Sequence, residues 1–397
     1  MSLIKFKYLR KQRIAILILI LTLTSMLFSI TAYSFLGFYN GFTSYVGEGK
    51  GVIAIYSKAG STPFTGIVPI TAVNKIASVK GVIATSPEVI APSMINGQSV
   101  FVRGVLPQEL AQLNQITITQ GSSLNLNNTD SAIIGQGAAQ RLNLKTGDNI
   151  LVISVLSQKY VQLQIKGIFQ TSSSLNDEVL VPLYVGQWLR GLTYNEVTLI
   201  RVKIDPAQTN ANQLYQVIAN HTQTAKPSPS PTPTSEAQKE LQALIPLTSS
   251  GINIQNIGVE ESQQFMSSYL DRYGISQDTL IILSIIVLVF ASGTATCAMA
   301  LFIRQHSSDI DILRSIGAST KKIKIDLSLK MLVWALIATT IGTVISALLL
   351  IIFQKIGYLQ VLSHTITFQL DPLIIVANII LLSLLIMINV ARAELKQ

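Results

Sequence analysis

Four stretches of the chain are too long and too apolar to be ordinary core helices, and they constrain the fold more than any other feature. They cover residues 14–36, 280–303, 331–353 and 373–390. About 20 apolar residues in a helix cross the roughly 30 Å hydrocarbon layer of a bilayer, where lipid cannot satisfy exposed backbone groups. The composition agrees, because only 12% of the 397 residues are charged and the mean hydropathy is +0.47. The sequence therefore predicts four transmembrane helices.

Basic residues beside these stretches predict the orientation of the chain. They precede the first span and fill the loop between the second and third: Lys5, Lys7, Arg10, Lys11, Arg13, Arg304, Arg314, Lys321, Lys322, Lys324 and Lys330. Short basic segments stay in the cytoplasm. We expect cytoplasmic segments at 1–13, 304–330 and 391–397, a short outer loop at 354–372, and a large outer domain at 37–279. The protein is then a multi-pass cell-membrane protein with both termini cytoplasmic, and its net charge of +9 reflects topology rather than nucleic-acid binding.

The first span has an alternative interpretation, a cleaved signal peptide, since a basic start precedes an apolar stretch. The stretch is longer than a typical signal-peptide core, and the following SITAYSFLGFYNGF offers no clear cleavage site of small residues. An uncleaved anchor is the preferred interpretation.

The segment 37–279 has the pattern of a mixed α+β domain of two lobes. Short runs rich in β-branched residues, such as GVIAIYS, SVFVRGV and YVQLQIKGIF, alternate with turn residues, which predicts strands. Helices are expected at 70–78 and 137–142, and another over 258–274 that leads to the second span as a stalk. Residues 226–235 are rich in Pro, Ser and Thr and predict an extended connector. Asn127 and Asn220 begin possible N-glycosylation sequons.

The chemistry of known enzyme motifs is missing from the sequence. There is no GxxxxGK[ST] nucleotide loop and no GxSxG or SxxK nucleophile motif. The single cysteine, Cys297, forms no intrachain disulfide, and the three histidines lack zinc-site spacing. The adjacent carboxylates at 177–178 and 260–261 are expected to lie on solvated surface. We therefore predict no catalytic residue, no metal site and no cofactor in this chain.

Polar and small residues within the spans predict close helix packing. Asn378 and Asn389 are expected to form hydrogen bonds between helices rather than an ion path. Small residues recur in the second and third spans and suit packing within one subunit or across a dimer: Gly293, Cys297, Ala338, Gly342 and Ser346.

The cytoplasmic loop at 304–330 contains a short helix pattern. Ser308 and Asp311 have capping-box spacing, and Gly317 is placed to end a helix of about two turns. Ile310, Leu313 and Ile316 recur at spacing three and predict one apolar face. This pattern fits either a partner-docking helix or a helix that rests on the lipid surface.

Three ordered blocks and the topology resemble the MacB/FtsX family of ABC-transporter permeases, the type VII mechanotransmitters. The family motif after the second span resembles R-x-x-E-I-x-[IV]-L-R-x-[IML]-G-A, and here Asp309 to Ala318 read DIDILRSIGA, with Asp309 where Glu is commoner. IASVKGVIATSPE at 76–88 and SAIIGQGAAQRLNLKTGDNILVI at 131–153 resemble elements of the family's outer domain, and QIKGIFQTSSSLNDEVLVPLY at 164–184 continues the match.

The resemblance implies a permease worked by a separate cytoplasmic ABC ATPase, which supplies ATP and Mg binding. The implied docking residues of the coupling helix are Asp309, Ile310, Asp311, Leu313, Arg314, Ser315, Ile316, Gly317 and Ala318. It also implies a second permease subunit, in a homo- or heterodimer, contact with membrane lipid, and a possible extracellular protein partner. The expected function is export or extraction of a hydrophobic, lipid-linked or peptide substrate. The alternative is an FtsX-like signalling subunit that regulates an envelope partner without transport.

Overall fold

The computed structural model describes residues 11–47, 51–220, 256–356, 359–366 and 371–392. The chain divides into two compact units. The membrane unit comprises residues 1–40, 274–360 and 366–397, and the outer unit comprises residues 41–273 and 361–365. The predicted connector at 226–235 lies outside the described residues.

The described helices and strands follow one another along both units. The helices are α1 (Lys11–Thr43), α2 (Ala72–Ala77), α3 (Pro107–Leu113), α4 (Gln136–Leu142), α5 (Leu183–Arg190), α6 (Ala211–Asn220), α7 (Ser262–Arg272), α8 (Gln277–Gln305), α9 (Ser307–Ser315), α10 (Thr320–Ile356) and α11 (Pro372–Arg392). The strands are β1 (Val52–Ser57), β2 (Val68–Pro69), β3 (Val82–Ile95), β4 (Gln98–Val105), β5 (Thr117–Gly121), β6 (Ser131–Gly135), β7 (Asn149–Ser154), β8 (Tyr160–Gln170), β9 (Val179–Pro182), β10 (Glu196–Val197), β11 (Leu199–Ile204), β12 (Ile257–Glu261), β13 (Gln360–Val361) and β14 (His364–Thr365).

Among the described residues, the four helices α1, α8, α10 and α11 are long and apolar enough to cross a membrane. The start of α11 follows from local chemistry, because an Asp side chain accepts from the free backbone N–H groups of a first turn and proline needs no partner there. The Asp371 carboxylate accepts a hydrogen bond from the Leu373 backbone N–H at 2.9 Å. Pro372 is the first helical residue, as the sequence predicts.

The membrane unit is held together by an apolar core with a few polar contacts between helices. Leu21, Met299, Met331 and Ile386 are among its buried residues. Asn378 is also buried. Its amide donates hydrogen bonds to the hydroxyls of Ser25 and Ser29, at 2.7 and 3.1 Å, and so joins α11 to α1.

Asn389 makes a longer contact with a neighbouring helix. Its amide donates to the Thr296 hydroxyl of α8 at 3.4 Å and to the Leu385 carbonyl of its own helix at 2.8 Å. Both asparagines therefore make the interhelical hydrogen bonds that their position in an apolar span predicts.

A ten-stranded mixed sheet forms the frame of the outer unit. Its order is β12-β1-β11-β3-β4-β9-β6-β8-β5, with β7 pairing to β3 and β8. Neighbours are antiparallel except for β4 with β9 and β6 with β8. One core lies around Ile55, Ile76 and Val202, and another around Val102, Ile134 and Leu163. The unit thus has the mixed α+β architecture of two lobes that the sequence predicts.

The predicted helix over 258–274 is wrong in its first part. Residues 257–261 form β12, which pairs with β1 in antiparallel register. Hydrogen bonds to β1 and burial of Ile257 stabilise this segment as a strand. Helix propensity is too weak to outweigh such tertiary contacts. Only α7 remains of the predicted helix.

A continuous stalk into the second span is also absent from the described residues. Gly274 has φ +72, a left-handed conformation that ends helices. A separate helix, α8, then begins, with the Ser276 hydroxyl accepting from the Thr279 backbone N–H at 3.0 Å. The first span behaves differently, since α1 continues as helix to Thr43.

Candidate functional site

The predicted coupling helix exists as α9, but its start differs from the prediction. The N-cap is His306, and no side chain caps the helix. The proposed capping box of Ser308 with Asp311 is therefore wrong, because Ser308 already lies inside the first turn. The His306 ring is buried and its Nδ1 contacts the Phe302 carbonyl at 2.9 Å. This contact fixes the short break between α8 and α9.

The end of α9 is the one that the sequence predicts. Gly317 adopts φ +96. Its backbone N–H donates to the Arg314 carbonyl at 2.9 Å, and the Ala318 N–H donates to the Leu313 carbonyl at 3.1 Å. These two bonds form a Schellman motif, in which a residue without Cβ takes the left-handed position at lowest cost. The motif closes α9 sharply before α10 begins.

The apolar side chains of α9 lie on two faces, so the single predicted face is wrong. Ile310 is 2% exposed and Leu313 is half-buried, whereas Ile316 is 78% exposed. Since each residue of an α-helix turns by about 100°, a spacing of six leaves Ile316 about 120° from Ile310. Ile312, which is 58% exposed, lies four residues before Ile316 and shares its side.

The surface that α9 offers to a partner thus centres on Ile312 and Ile316. We refer to this pair as the exposed isoleucine pair. Asp311, Ser315 and the Gly317-Ala318 turn are exposed around it, and Asp309 and Arg314 are partly exposed. Ile312 is absent from the sequence-based set of docking residues, although its spacing of four from Ile316 is a signal that could have found it.

The small residues of the two middle spans play different roles. Ala338 and Ser346 are buried, and the Ser346 hydroxyl donates to the Met26 carbonyl of α1 at 3.1 Å. A Cβ on Gly342 would lie 2.8 Å from the Thr22 carbonyl oxygen. The third-span residues therefore pack α10 against α1 within one chain.

In the second span, Gly293 and Cys297 face outward. A Cβ on Gly293 would meet no atom within 4 Å, and Cys297 is exposed. Both line an open apolar groove of about 520 Å³ together with Ile20 and Phe290. These two residues serve no close packing within the described part of the chain.

The two sequons have different local settings. Asn127 is exposed in the loop before β6, and its backbone N–H donates to the Asn125 side chain at 2.9 Å. Asn220 is the last residue of α6, and its side chain lies outside the described residues. Glycosylation of either stays a prediction.

A cluster of ion pairs lies inside the outer unit, and we term it the buried charge cluster: Tyr45, Glu88, Arg103, Glu178, Arg201 and His364. Arg103 of β4 donates through Nη1 to Glu88 at 2.5 Å and through Nε to Glu178 at 2.6 Å. Arg201 of β11 pairs with Glu88 at 2.6 Å. These contacts join strands of both lobes.

Two further segments reach the same cluster. The Tyr45 hydroxyl, shortly after α1, donates to Glu178 Oε1 at 2.7 Å, and His364 Nε2 lies 3.0 Å from the same oxygen. Although burial by itself raises the pKa of Glu178, the adjacent Arg103 and His364 hold it well below its usual range. Burial and the neighbouring Glu178 raise the pKa of Tyr45. Tyr45 therefore stays a neutral donor and Glu178 a charged acceptor.

The buried charge cluster is not predicted by the sequence patterns described above. The expectation that Asp177 and Glu178 lie on solvated surface is wrong, since both are buried. The physical reason is that both carboxylates have internal partners: Arg103 pairs with Glu178, and the Thr365 backbone N–H donates to Asp177. Burial of an unpaired charge would otherwise be too costly. A signal was present, because Arg103 is the single charge within the apolar run SVFVRGV, and Arg201 lies between apolar residues in TLIRVKI. Such a position on a buried strand indicates an internal partner.

Comparison with known proteins now decides the family. The family model for the MacB-like periplasmic core domain matches residues 14–220, more than half of the chain, and that for the FtsX-like permease C-terminal region matches residues 281–393. The chain belongs to the MacB/FtsX-like permease family. α9 and the Schellman turn lie within the second match. Five of the six members of the buried charge cluster, all except His364, lie within the first. The earlier resemblance is thereby confirmed.

Solved structures similar to this MacB/FtsX-like permease include two outer domains. The periplasmic region of MacB from Actinobacillus actinomycetemcomitans is 14% identical with a TM-score of 0.33, over 55% of this chain and 92% of that one. The extracellular domain of the noncanonical ABC-type transporter YknZ from Gram-positive bacteria is 15% identical with a TM-score of 0.30, over 42% and 88%. No curated protein matches the chain.

Membership of the MacB/FtsX-like permease family fixes the coarse function. The protein is a membrane protein with an extracellular domain. Its family forms the permease component of ABC transporters, and this component is generally not an enzyme. An ABC ATPase partner and dimerisation are general features of that family.

Proposed function

We propose that this permease transmits ATP-driven motion of a separate cytoplasmic ATPase to its outer unit, and that it thereby exports or extracts a hydrophobic, lipid-linked or peptide substrate. The chain itself performs no hydrolysis, and ATP and Mg bind to the partner. Both termini and α9 lie in the cytoplasm, in accordance with the basic residues beside the spans.

The exposed isoleucine pair is the observation that carries the proposal. Two large apolar side chains stand on a short helix in a basic loop, with Asp311 and Ser315 beside them. An apolar centre with a polar rim is the usual anatomy of a protein interface. Ile310 is buried within the membrane unit and fixes the helix from behind.

The connections of α9 allow it to pass a displacement on. One residue, His306, separates it from α8, and residues 316–319 separate it from α10. Its ends are set by the Phe302–His306 contact and by the Schellman turn. Because these joints are short and hydrogen-bonded, a force on α9 acts on both spans rather than being absorbed in a loop.

A dimer of permeases would use the groove beside Gly293 and Cys297. The absence of any atom within 4 Å of a Cβ on Gly293 leaves room for another helix to approach closely. Small residues permit such approach in lipid, where packing rather than the hydrophobic effect drives helix association. The groove is compatible with a homodimer and with a heterodimer.

One surface of the outer unit favours the second candidate function, a signalling subunit that regulates an extracellular envelope protein. Ile153 of β7 lies directly opposite Met94 of β3 and Tyr160 of β8, and residues opposite each other share a face of the sheet. All three are exposed, and Leu151, two residues before Ile153 on β7, is exposed on the same face. Val155, directly after β7, is exposed as well. A flat apolar sheet face of this kind is suited to covering by a protein rather than to enclosing a small ligand.

The docking step is tested by exchanging the exposed isoleucine pair for aspartate. We expect Ile312→Asp with Ile316→Asp to insert normally and to lose the ABC ATPase that co-purifies with the tagged wild type in mild detergent. Gly317→Pro removes the N–H donated to Arg314 and cannot adopt φ +96, so it is expected to uncouple ATPase activity as well.

The matched control is Ile83→Asp, which replaces an isoleucine that is as exposed as Ile312, at 58%, but lies in the outer unit. This variant is expected to retain the ATPase. Retention of full ATP-dependent activity by the Ile312/Ile316 variant would remove the docking proposal. Loss of an extracellular partner in Ile153→Asp, with the ATPase retained, would favour the signalling function over transport.

A further inference from the structure

His364 lies in a segment that is placed between two membrane spans in the sequence but packs within the outer unit. Residues 361–365 follow α10 and precede α11 in the chain, yet they are part of the outer unit. They form the hairpin β13–β14, whose two turn residues, Leu362 and Ser363, have φ +53 and +61. Neither residue is glycine, so the turn carries backbone strain. Contacts elsewhere must hold it.

The contacts that hold the hairpin come from several elements of the outer unit. The Ser363 and Ser99 hydroxyls lie 2.9 Å apart, and the Arg141 guanidinium donates to the Ser363 carbonyl at 3.2 Å. The Thr365 backbone N–H donates to the Asp177 carboxylate at 2.6 Å. His364 packs its ring against that of Tyr45, with centroids 4.7 Å apart.

Both ring nitrogens of His364 face oxygen acceptors. Nε2 lies 3.0 Å from Glu178 Oε1, and Nδ1 lies against the Leu362 carbonyl. A neutral imidazole has one N–H and one lone pair, so it can satisfy one of these oxygens and must present a lone pair to the other. The doubly protonated imidazolium donates to both. The geometry of the closed hairpin is that of the charged ring.

The charges around the ring balance without its proton. Glu88, Glu178 and Asp177 supply three negative charges, and Arg103, Arg201 and Arg141 supply three positive ones. Tyr45, which also faces the ring, contributes none. An imidazolium therefore adds one uncompensated positive charge to a buried site, which has a cost. Hydrogen bonding favours the proton and the overall charge balance disfavours it.

We propose that His364 is a proton-operated latch: its imidazolium fastens the hairpin 361–365 to Glu178, and loss of the proton releases it. The sign follows from the contacts. The charged ring makes two donated hydrogen bonds, and the neutral ring makes one and sets a lone pair against an oxygen. The latch is closed at acidic external pH and opens as the pH rises. Strain at Leu362 and Ser363 favours opening once the ring contact is lost.

The latch would give the permease a response to conditions outside the cell. Histidine is the side chain whose charge ordinarily changes near physiological pH. Since the hairpin lies between α10 and α11 in the sequence, its release frees from the core of the outer unit a segment that lies between the third and fourth spans in the chain. This inference concerns the outer unit alone and does not depend on the docking of an ATPase.

Hydrogen exchange of the full-length protein in nanodiscs tests the proposal. We follow the Thr365 amide from about pH 5 to about pH 8, where histidine titrates, and correct for the intrinsic exchange rate at each pH. In the wild type we expect its protection to fall about tenfold or more, the change that loss of one charge-assisted hydrogen bond produces. His364→Gln keeps an amide donor for Glu178 but does not titrate, so its protection is expected not to change with pH.

A second measurement keeps the test independent of how well the variant folds. With ¹³C-labelled histidine, the ring signal missing from His364→Gln identifies His364 in the wild type. We expect its titration to coincide with the loss of Thr365 protection. The proposal is overturned if the protection is the same at both ends of the pH range, if it falls equally in His364→Gln, or if the ring stays neutral while the hairpin is closed.

Discussion

Arg103 forms ion pairs with two buried carboxylates, and its replacement by methionine tests how the outer unit is held together. The guanidinium lies 2.5 Å from Glu88 and 2.6 Å from Glu178, with all three side chains fully buried. Removing one partner of a buried ion pair costs about 3–5 kcal/mol, because the other charge is left without compensation. Glu88 retains Arg201 at 2.6 Å, whereas Glu178 retains no arginine among its described contacts, only the Tyr45 hydroxyl and the His364 ring. We therefore expect Arg103→Met to cost about 4 kcal/mol.

The chain has two tryptophans, one in each unit, which allows the free energy of unfolding of the outer unit to be measured by itself. Trp188 lies in the outer unit and Trp334 in the membrane unit. In a Trp334→Phe background, Trp188 fluorescence during urea unfolding reports the outer unit alone. Lys58→Met removes an exposed positive charge and serves as the matched control, with an expected change within about 0.5 kcal/mol.

The double variant Arg103→Met with Glu178→Gln distinguishes charge from packing. It removes the uncompensated carboxylate together with its partner, so it is expected to be more stable than Arg103→Met by about 2 kcal/mol. Two results would contradict this role of the buried charge cluster. The first is a free energy of unfolding of Arg103→Met within about 1 kcal/mol of the wild type. The second is a double variant whose loss of stability relative to the wild type equals the sum of the losses of the two single variants.

Three further predictions concern single contacts. Gly342→Leu places a side chain against the Thr22 carbonyl and is expected to cost about 1–3 kcal/mol of membrane-unit stability, measured by thermal aggregation in detergent, whereas Gly293→Leu, in open space, is expected to change it little. Asn378→Ala loses two interhelical hydrogen bonds and is expected to cost about 0.6–2 kcal/mol in the same assay; an unchanged midpoint would contradict that role. Folding lowers the pKa of Glu178, so its contribution to stability is present above the unfolded pKa and is lost as the pH falls below about 4. The urea midpoint of the outer unit, followed by Trp188 fluorescence, is therefore expected to decrease below that pH. A midpoint that stays level would show that the carboxylate is not paired.

Local sequence signals predicted those parts of the fold that depend on neighbours in the chain. The start of α11 at Asp371-Pro372 and the end of α9 at Gly317 are set by backbone groups within one turn, and the residue types there have few other uses. The membrane spans are also predictable from the sequence, since the lipid bilayer determines their length and composition. Residues 258–261 are predicted as helix but form a strand, because β1, which pairs with them, lies far away in the sequence.

The candidate sites divide in the same way. Helical periodicity placed α9 correctly, but a spacing of three over two turns drifts around the helix, and it concealed that Ile316 pairs with Ile312 rather than with Ile310. The buried charge cluster could not be assembled from the sequence, because its members come from six separate segments. His364 is the extreme case, since its position between two spans gives no sign that it packs within the outer unit.

The docking of α9 on an ATPase is tested most directly by site-specific photocrosslinking in membranes. A photoreactive amino acid is placed at Ile316 in one preparation and at Ile83 in another, and the covalent products are identified by mass spectrometry. We expect an adduct with a cytoplasmic ABC ATPase from position 316 and none from position 83. Adducts with lipid alone at position 316 would contradict it and would show that α9 rests on the membrane surface.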